Sequence, residues 1–533
     1  MNGAFLTALL AAIVAGAVLA KRFRIPYPVV FVVGGLVVAL IPGIPTIALQ
    51  PDLVFLLFLP PLIFGDGWTT DYRSFMRWRG PIFSLALGLV VCTSVAVALF
   101  THWLIGIPLA LGFVLGGILS PTDAVATDAI AEEVRMPLPL TTIIGGESLV
   151  NDASGLVIYR FGVVAVATGA FSLLAAFAQF VYVVVAGIAI GLGGAWLIAK
   201  LMLLLRKKGL SDELILVSLS LVTPFALYVP ADVLGASGVL AALSGGIFMS
   251  RKSSQIFDAD SRLAAGSVWS LLFFTFNGAA FVLVGLELRA VVRGMPQYSL
   301  ATLIGWGLAV TALLIVVRFA WVFIVTYGRR RLWPKIRQTE GPDPPWQQVF
   351  VLGFAGMRGI VSLAAALAIP EYTTGGARFP GRDLLVFITF VVILVSLVGE
   401  GLTMPWLIRR FGLALAVDES LEQKALANAR VRTYTAAREH LRTLEPSFAS
   451  TAEWEVAGRL QATYEQRLSH YAAHRDGITD EDAGQHEIER RFKLDAYAAE
   501  RRALVELRRS GEISDQIYRR LEWDIDLAES RLQ

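Results

Sequence analysis

Apolar residues fill most of the chain between Phe5 and Ile408, in runs broken by short polar loops. Each run reaches the roughly 17–25 residues that a helix needs to cross a bilayer. The pattern predicts about thirteen spans. They lie near residues 3–20, 27–43, 51–66, 80–103, 107–131, 138–163, 171–204, 211–230, 233–250, 267–288, 297–327, 346–369 and 382–407.

The loops between these spans alternate between basic and charge-poor sequences. The basic loops follow the first span and every second span after it, and they include Lys21, Arg22, Arg73, Arg77, Arg206, Lys207, Arg251, Arg329 and Arg409. Because basic loops remain in the cytoplasm, the alternation predicts an odd number of spans. It also predicts a multi-pass protein of the cell membrane with an outside N-terminus and a cytoplasmic C-terminus.

Composition supports this interpretation and separates the end of the chain from the rest. The chain is 56% hydrophobic and 17% charged, whereas soluble proteins have roughly a quarter charged residues. Beyond residue 412 the apolar runs give way to amphipathic, charge-rich sequences typical of soluble helices. We therefore predict a transmembrane domain over residues 1–412 and a cytoplasmic helical regulatory tail over 413–533.

Several classes of function are disfavoured. The single cysteine, Cys92, provides neither a disulfide framework nor a metal cluster. No His/Cys/Asp metal set and no nucleophile suggests a membrane enzyme, so we expect neither catalysis nor a cofactor. The basic residues lie in short loops between apolar runs, which argues against nucleic acid and for the lipid bilayer as a partner.

Two of the predicted spans contain residues that interrupt a helix. Pro121, in the fifth span, removes a backbone donor. Gly353, Gly356 and Gly359 surround Arg358 in the twelfth span. Irregular backbone at membrane depth is tolerated where it is buried in protein or lines a cavity. The breaks are seven spans apart, and this odd offset predicts two inverted repeats with two discontinuous helices, as in secondary transporters.

The sixth span carries a polar stripe in an otherwise apolar sequence. Spacings of four residues place Glu147 with Asn151, and Ser148 with Asp152, on one side of a helix. Ionisable groups at membrane depth are costly and mark ion paths. The stripe therefore predicts a site for a cation or a proton.

Asp152 and Asp123 are the predicted ion-binding carboxylates. A carboxylate in a low-dielectric environment can bind a proton or a small hard cation, and each excludes the other. Thr122, Ser148 and backbone carbonyls released at the break can complete the oxygen shell. For sodium we predict Asp152, Asp123 and Ser148 as ligands. Competition at Asp152, joined to alternating access, would produce exchange.

Arg358 needs a compensating anion inside the membrane. We predict Glu147 as its partner, because Asp152 must remain able to titrate. This structural ion pair would join the sixth span to the twelfth.

Four other ionisable residues receive weaker assignments. Arg318 and Arg160 are less prominent candidates. Asp66 and Glu400 fit a position at the membrane interface as well as the lining of an ion funnel.

Six motifs in this order resemble the monovalent cation:proton antiporter family, of sodium/proton exchanger type, in its bacterial form. They are LPPLIF at Leu59–Phe64, GGILSPTDAVA at Gly116–Ala126, GGESLVNDASG at Gly145–Gly155, SGVLAALSGGI at Ser237–Ile247, FNGAAFVLVGLEL at Phe276–Leu288 and GMRGIVSLAAALAIP at Gly356–Pro370. Together they cover most of the membrane part. The resemblance implies a thirteen-span fold with a mobile core domain and a dimerisation domain, usually in a homodimer. We place the core near residues 80–165 and 297–412, and the interface part near 1–79 and 170–296.

The resemblance also implies roles for single residues. The family's ion site corresponds to Thr122, Asp123, Ser148 and Asp152, and its structural ion pair to Glu147 and Arg358. Asn151 stands where electrogenic relatives have a second acid, and the stretch around Asn277 lacks their lysine, so the resemblance implies electroneutral exchange.

The predicted function is antiport of sodium, or also potassium or lithium, for a proton, with one cation per proton. A preference for sodium does not follow, because potassium-using members share the motifs. The alternative is a cation channel, or a potassium-preferring exchanger gated by the tail. A channel requires a ring of acids or carbonyls from several subunits, whereas this chain has single, asymmetric carboxylates.

Overall fold

A computed structural model describes most of the chain. It covers residues 3–23, 25–40, 51–134, 136–169, 173–293, 298–328, 331, 343–373, 376–413, 419–445, 450–476, 480–510 and 512–530. Within these ranges the regular structure is helical, apart from one isolated β-bridge between Tyr372 and Arg378. The all-α class that the sequence predicts is confirmed.

The helices of the membrane part follow the predicted spans. In chain order they are α1 (Gly3–Phe23), α2 (Tyr27–Leu40), α3 (Pro51–Thr69), α4 (Tyr72–Arg77), α5 (Arg79–Phe83), α6 (Val90–Ile105), α7 (Leu109–Leu119), α8 (Ala124–Val134), α9 (Leu138–Thr168), α10 (Leu173–Lys207), α11 (Glu213–Val233), α12 (Gly238–Ile256), α13 (Ala259–Arg293), α14 (Leu300–Phe323), α15 (Trp346–Phe354), α16 (Ile360–Leu367) and α17 (Arg382–Arg410). Each predicted span coincides with one of these helices or with a consecutive pair of them.

Seven helices among the described residues are long and apolar enough to cross a membrane by themselves. They are Arg79–Ile105, Leu138–Thr168, Phe177–Lys207, Glu213–Val233, Ala259–Leu286, Leu300–Gly328 and Arg382–Arg410. This finding supports a multi-pass membrane protein, while the number of thirteen crossings stays a prediction.

Both predicted helix breaks are present. α7 ends at Leu119 and α8 begins at Ala124, so the first break contains Pro121. α15 ends at Phe354 and α16 begins at Ile360, so the second break contains Arg358. The fifth and twelfth spans are therefore discontinuous helices.

A wide helical turn, which the sequence did not predict, joins α5 to α6. Residues Ser84–Leu89 form a π-helical turn, and such a turn displaces carbonyl groups from their usual partners. Ser154 on α9 donates its hydroxyl to the Ala86 carbonyl at 2.5 Å. Trp321 on α14 donates its indole N–H to the Ser84 carbonyl at 3.2 Å. The first bond anchors α9 to the turn two residues after Asp152, and the second bond anchors α14 to it.

The chain divides into two compact units, Met1–Leu415 and Ala416–Gln533. The second unit consists of α18 (Glu419–Leu444), α19 (Thr451–Asp476), α20 (Asp480–Arg509) and α21 (Asp515–Ser530). The Tyr434 and Tyr471 rings, 5.7 Å apart, pack α18 against α19. Arg501 on α20 pairs with Glu529 on α21 at 2.6 Å. The division of the membrane unit into core and interface parts stays a prediction.

Candidate functional site

The two helix breaks meet each other inside the membrane unit. The backbone N–H of Asp123, in the first break, donates to the carbonyl of Met357, in the second, at 2.8 Å. Each break thus supplies a hydrogen-bond partner to the other. This pairing is what irregular backbone requires where water is excluded.

Asp123 lies where two half-helices begin. Its Oδ1 accepts the backbone N–H of Val125 at 2.9 Å, in the first turn of α8. A β-carbon on Gly359, the residue before α16, would lie 1.5 Å from Asp123 Oδ2. Helix N-termini carry partial positive charge, so both half-helices present favourable partial charges to this carboxyl group. Glycine at position 359 is required because the carboxylate occupies the space of a side chain.

Glu147 pairs with Arg318 rather than with Arg358, so the predicted partner is wrong. The Glu147 carboxylate accepts hydrogen bonds from Arg318 Nη1 at 2.5 Å and Nη2 at 2.8 Å. Arg358 donates Nε to the Leu119 carbonyl and Nη1 to the Gly356 carbonyl, each at 2.5 Å. The prediction assumed that Arg358 needs a carboxylate in direct contact. Carbonyls at and just beyond the ends of α7 and α15 take that role, because helix C-termini carry partial negative charge.

Four buried charged residues form a balanced cluster beside the contact between the two helix breaks. Glu147, Arg318, Arg358 and Glu400 are 1%, 2%, 3% and 5% exposed. Glu400 accepts the backbone N–H of Gly356 at 2.9 Å, and it interacts electrostatically with both arginines. Two acids and two bases thus lie in one cluster, and their formal charges sum to zero. The sequence left open whether Glu400 lies at the membrane interface or lines an ion funnel, whereas the structure places it inside the protein.

Asp152 borders a small cavity of about 40 Å³ next to the contact between the two helix breaks. Apolar side chains of α3, including Phe58 and Leu59, form part of its wall. The polar residues that line it are Asp66, Thr122, Asp123, Ser148, Asp152, Asn277 and Ser362. The structure therefore brings together all four predicted ion-site residues. Within the described ranges, no group of three or more His, Cys, Asp or Glu side chains converges as in a metal centre.

The polar stripe of α9 holds the first break in place. Ser148 donates its hydroxyl to the Thr122 carbonyl at 2.8 Å. Asn151 donates its amide to the Thr122 hydroxyl at 2.8 Å, and that hydroxyl donates to Glu147 Oε1 at 3.3 Å. Thr122 is therefore held at both its carbonyl and its hydroxyl. Asn151, which is fully buried, contacts the break and does not line the cavity.

Close packing of glycines brings α9 against the same break. A β-carbon on Gly155 would lie 2.5 Å from the Pro121 ring and 2.8 Å from the Gly117 carbonyl. A β-carbon on Gly117 would lie 2.5 Å from the Tyr159 backbone nitrogen. Since side chains are excluded on both helices, Asp152 comes within reach of the residues after Pro121.

Sequence reasoning missed two lining residues and left a third undecided. Ser362 received no role, and Asn277 was considered only as a position without lysine. Asp66 was placed at an interface or in a funnel, and the structure places it at the cavity. A signal was present for Asn277, because a lone amide in an apolar span marks a position that needs a polar partner.

Comparisons with known proteins agree with this architecture. The sequence matches the family described as sodium/hydrogen exchanger, transmembrane, over residues 6–410. An Escherichia coli (strain K12) protein named as the uncharacterized Na⁺/H⁺ exchanger YjcE is 34% identical over 527 residues, covering 96% of this chain and 94% of its own. A sodium, potassium, lithium and rubidium/H⁺ antiporter of Bacillus pumilus is 34% identical over 417 residues, covering 77% of this chain and 62% of its own.

A solved structure shares the fold. The sodium proton antiporter MjNhaP1 of Methanocaldococcus jannaschii aligns with a TM-score of 0.57 over 77% of this chain and 98% of its own, at 19% identity. The family match spans the whole membrane part, and the Escherichia coli relative spans nearly the whole chain. The chain therefore belongs to the sodium/hydrogen exchanger family of membrane transporters.

Proposed function

We propose that the protein exchanges one monovalent cation for one proton across the cell membrane. The observation that carries this proposal is Asp152, which is 8% exposed and borders a cavity with other oxygen ligands. A buried carboxylate in such a place binds either a proton or a hard cation. Loading with one therefore requires release of the other.

Each predicted ligand has a role in this exchange. Asp152 takes the cation or the proton. Asp123 supplies a second carboxylate, held where two half-helices begin. The Ser148 hydroxyl donates a hydrogen bond to the Thr122 carbonyl. Its oxygen can still bind a cation through its lone pairs. The Thr122 carbonyl and hydroxyl fix the geometry of the break around the ion.

The position of the cavity supports alternating access as the mechanism. Its walls come from α3 and α13, in the predicted interface part, and from the first break, α9 and α16, in the predicted core. We propose that the core moves against the interface part and exposes Asp152 to each side in turn. The resemblance further supports a homodimer held by the interface parts, surrounded by the lipid bilayer. The helical unit after residue 415 is proposed to be cytoplasmic and regulatory.

The proposal is not restricted to sodium as the transported cation. The Bacillus pumilus relative is named for sodium, potassium, lithium and rubidium, and the Methanocaldococcus jannaschii protein for sodium. Oxygen ligands around one carboxylate accept each of these ions. Each tenfold gradient of the driving ion then supplies about 1.4 kcal/mol to the exchange.

Transport by the purified protein in proteoliposomes tests the proposal. An imposed sodium, potassium or lithium gradient should move protons in the opposite direction, measured with a pH-sensitive dye. Asp152→Asn should abolish this signal, whereas Asp260→Asn, at an exposed acid in the first turn of α13, should not. Because proton and cation compete, the KM for the cation should rise as the pH falls, with the maximal rate unchanged.

Three results would contradict parts of the proposal. Exchange that persists in folded Asp152→Asn would remove Asp152 from the mechanism. Cation flux without proton counterflow would favour the channel. A cation-to-proton ratio other than one would overturn the stoichiometry.

A further inference from the structure

Two buried oxygens beside the cation cavity have no hydrogen-bond partner. They are Asn277 Oδ1 and Ser362 Oγ, and their residues are 6% and 1% exposed. Both residues line the cavity that Asp152 borders. Buried polar groups in folded proteins are almost always paired, so an unpaired oxygen facing a cavity points to a partner that occupies it.

Asn151 provides an internal comparison. Its Oδ1 is also buried without a partner, but its amide donates to Thr122 and the residue does not line the cavity. The role of Asn151 is thus to hold the break. Asn277, in contrast, lies on α13 and lines the cavity, and its neighbour Phe276 packs against Phe58 of α3, with ring centroids 5.2 Å apart.

The chemistry of an amide suits a cation better than a proton. An amide oxygen carries lone pairs and a partial negative charge but does not titrate near neutral pH. It therefore stabilises a hard cation without adding a second place for the exchanged proton. A cavity of about 40 Å³ holds about two water-sized groups, so an ion with about one retained water can reach ligands on both walls.

We propose that Asn277, with Ser362, supplies neutral oxygen ligands to the transported cation and so sets cation affinity relative to protons. The inference rests on the proposed exchange and identifies Asn277 as a residue of the predicted interface part that binds the cation. A cation then contacts both parts of the membrane unit, whereas a proton on Asp152 contacts the core alone. Asn277 is in this sense a specificity-determining residue.

The test compares Asn277→Leu with the wild type at alkaline pH, where protons compete least. Leucine keeps the branched shape and the number of side-chain heavy atoms of asparagine, and it removes the oxygen. The KM for sodium should rise about tenfold, the loss expected for one ligand oxygen, while the maximal rate stays within about twofold. Sodium-dependent thermal stabilisation in detergent should shift to about tenfold higher sodium in parallel.

Two further variants control for misfolding. Ser362→Ala removes the second oxygen with little change of volume and should raise the KM in the same direction. Ser261→Ala removes a buried, unpaired hydroxyl that does not line the cavity, and it should leave the KM unchanged. If Asn277→Leu does not fold, Asn277→Ala serves for the same measurement.

The outcomes separate this inference from the proposed function. An unchanged KM and unchanged sodium stabilisation in folded Asn277 and Ser362 variants would overturn the inference. The proposed function would still be supported in that case, provided that Asp152→Asn abolishes exchange. A lower rate at saturating sodium, with an unchanged KM, would show that these residues have a structural role, and it would also overturn the inference. Absence of exchange in the wild type would overturn the proposed function itself.

Discussion

Glu147 and Arg318 meet at two points in the interior of the membrane unit, and both residues are almost fully buried. Planar two-point contacts between guanidinium and carboxylate groups are the strong form of such pairs. Glu147 also receives the Thr122 hydroxyl. The charge pair therefore connects α14 to the break next to the ion cavity.

A series of single and double substitutions can establish which arginine pairs with Glu147. Glu147→Leu should destabilise the protein by about 3–5 kcal/mol, because it leaves Arg318 buried without its anion. Adding Arg318→Met should recover most of that loss, as measured by thermal unfolding in detergent. The control is Glu147→Leu with Arg358→Met. Recovery with Arg358→Met instead would contradict the observed pairing.

The limits of sequence reasoning at this scale are physical. All of the charged residues in the cluster can be identified from the sequence, because each interrupts an apolar run. Which two of them touch depends on how α9, α14 and the broken span cross, and periodicity along one helix contains no such information. Arg358 also shows that a buried cation can be satisfied by carbonyls at helix ends, which carry no mark in the sequence.

At the scale of helices, glycine positions determine how closely α9 approaches the first break. Gly155 faces Pro121 and the Gly117 carbonyl at distances that exclude any side chain. A β-carbon on Gly145, on the same helix, would meet open space, with no packing neighbour within 4 Å. Gly145 can therefore serve as a control for Gly155 in the same helix.

Alanine substitutions at the two glycines should have opposite effects. Gly155→Ala should destabilise the protein by about 1–3 kcal/mol, because the methyl group overpacks the contact. It should also slow exchange, because it displaces Asp152 from the break. Gly145→Ala should be neutral or stabilising by up to about 1 kcal/mol, since alanine favours helix. Thermal unfolding and proteoliposome exchange measure both effects, and equal behaviour of the two variants would refute the role given to close packing.

The helix breaks illustrate what was accessible from the sequence and what was not. Pro121 and the glycines around Arg358 predict both interruptions, because proline and glycine act on the backbone locally. The hydrogen bond from Asp123 to Met357 joins residues far apart in the chain. No local pattern in the sequence predicts this bond, and none predicts the π-helical turn before α6.

At the scale of the whole molecule, loop charge predicts one orientation that fusion proteins can test. Green fluorescent protein attached after residue 533 should fluoresce, because the C-terminus is expected in the cytoplasm. Alkaline phosphatase in the same place should be inactive. Phosphatase inserted after Gly169, between the sixth and seventh predicted spans, should be active. An active phosphatase at the C-terminus would contradict the predicted orientation, and activity at both places would contradict the seven spans predicted between them.

The balanced cluster of Glu147, Arg318, Arg358 and Glu400 has an electrical consequence for the core movement proposed above. Carrying one uncompensated charge across a membrane involves about 2.3 kcal/mol of work per 100 mV. Two acids and two bases that move together involve none. In the exchange proposed above, a core with a proton on Asp152 would carry the same charge as a core with a monovalent cation bound to the ionised Asp152. Voltage would then favour one stroke as much as it opposes the return, and the field would do no net work over a cycle.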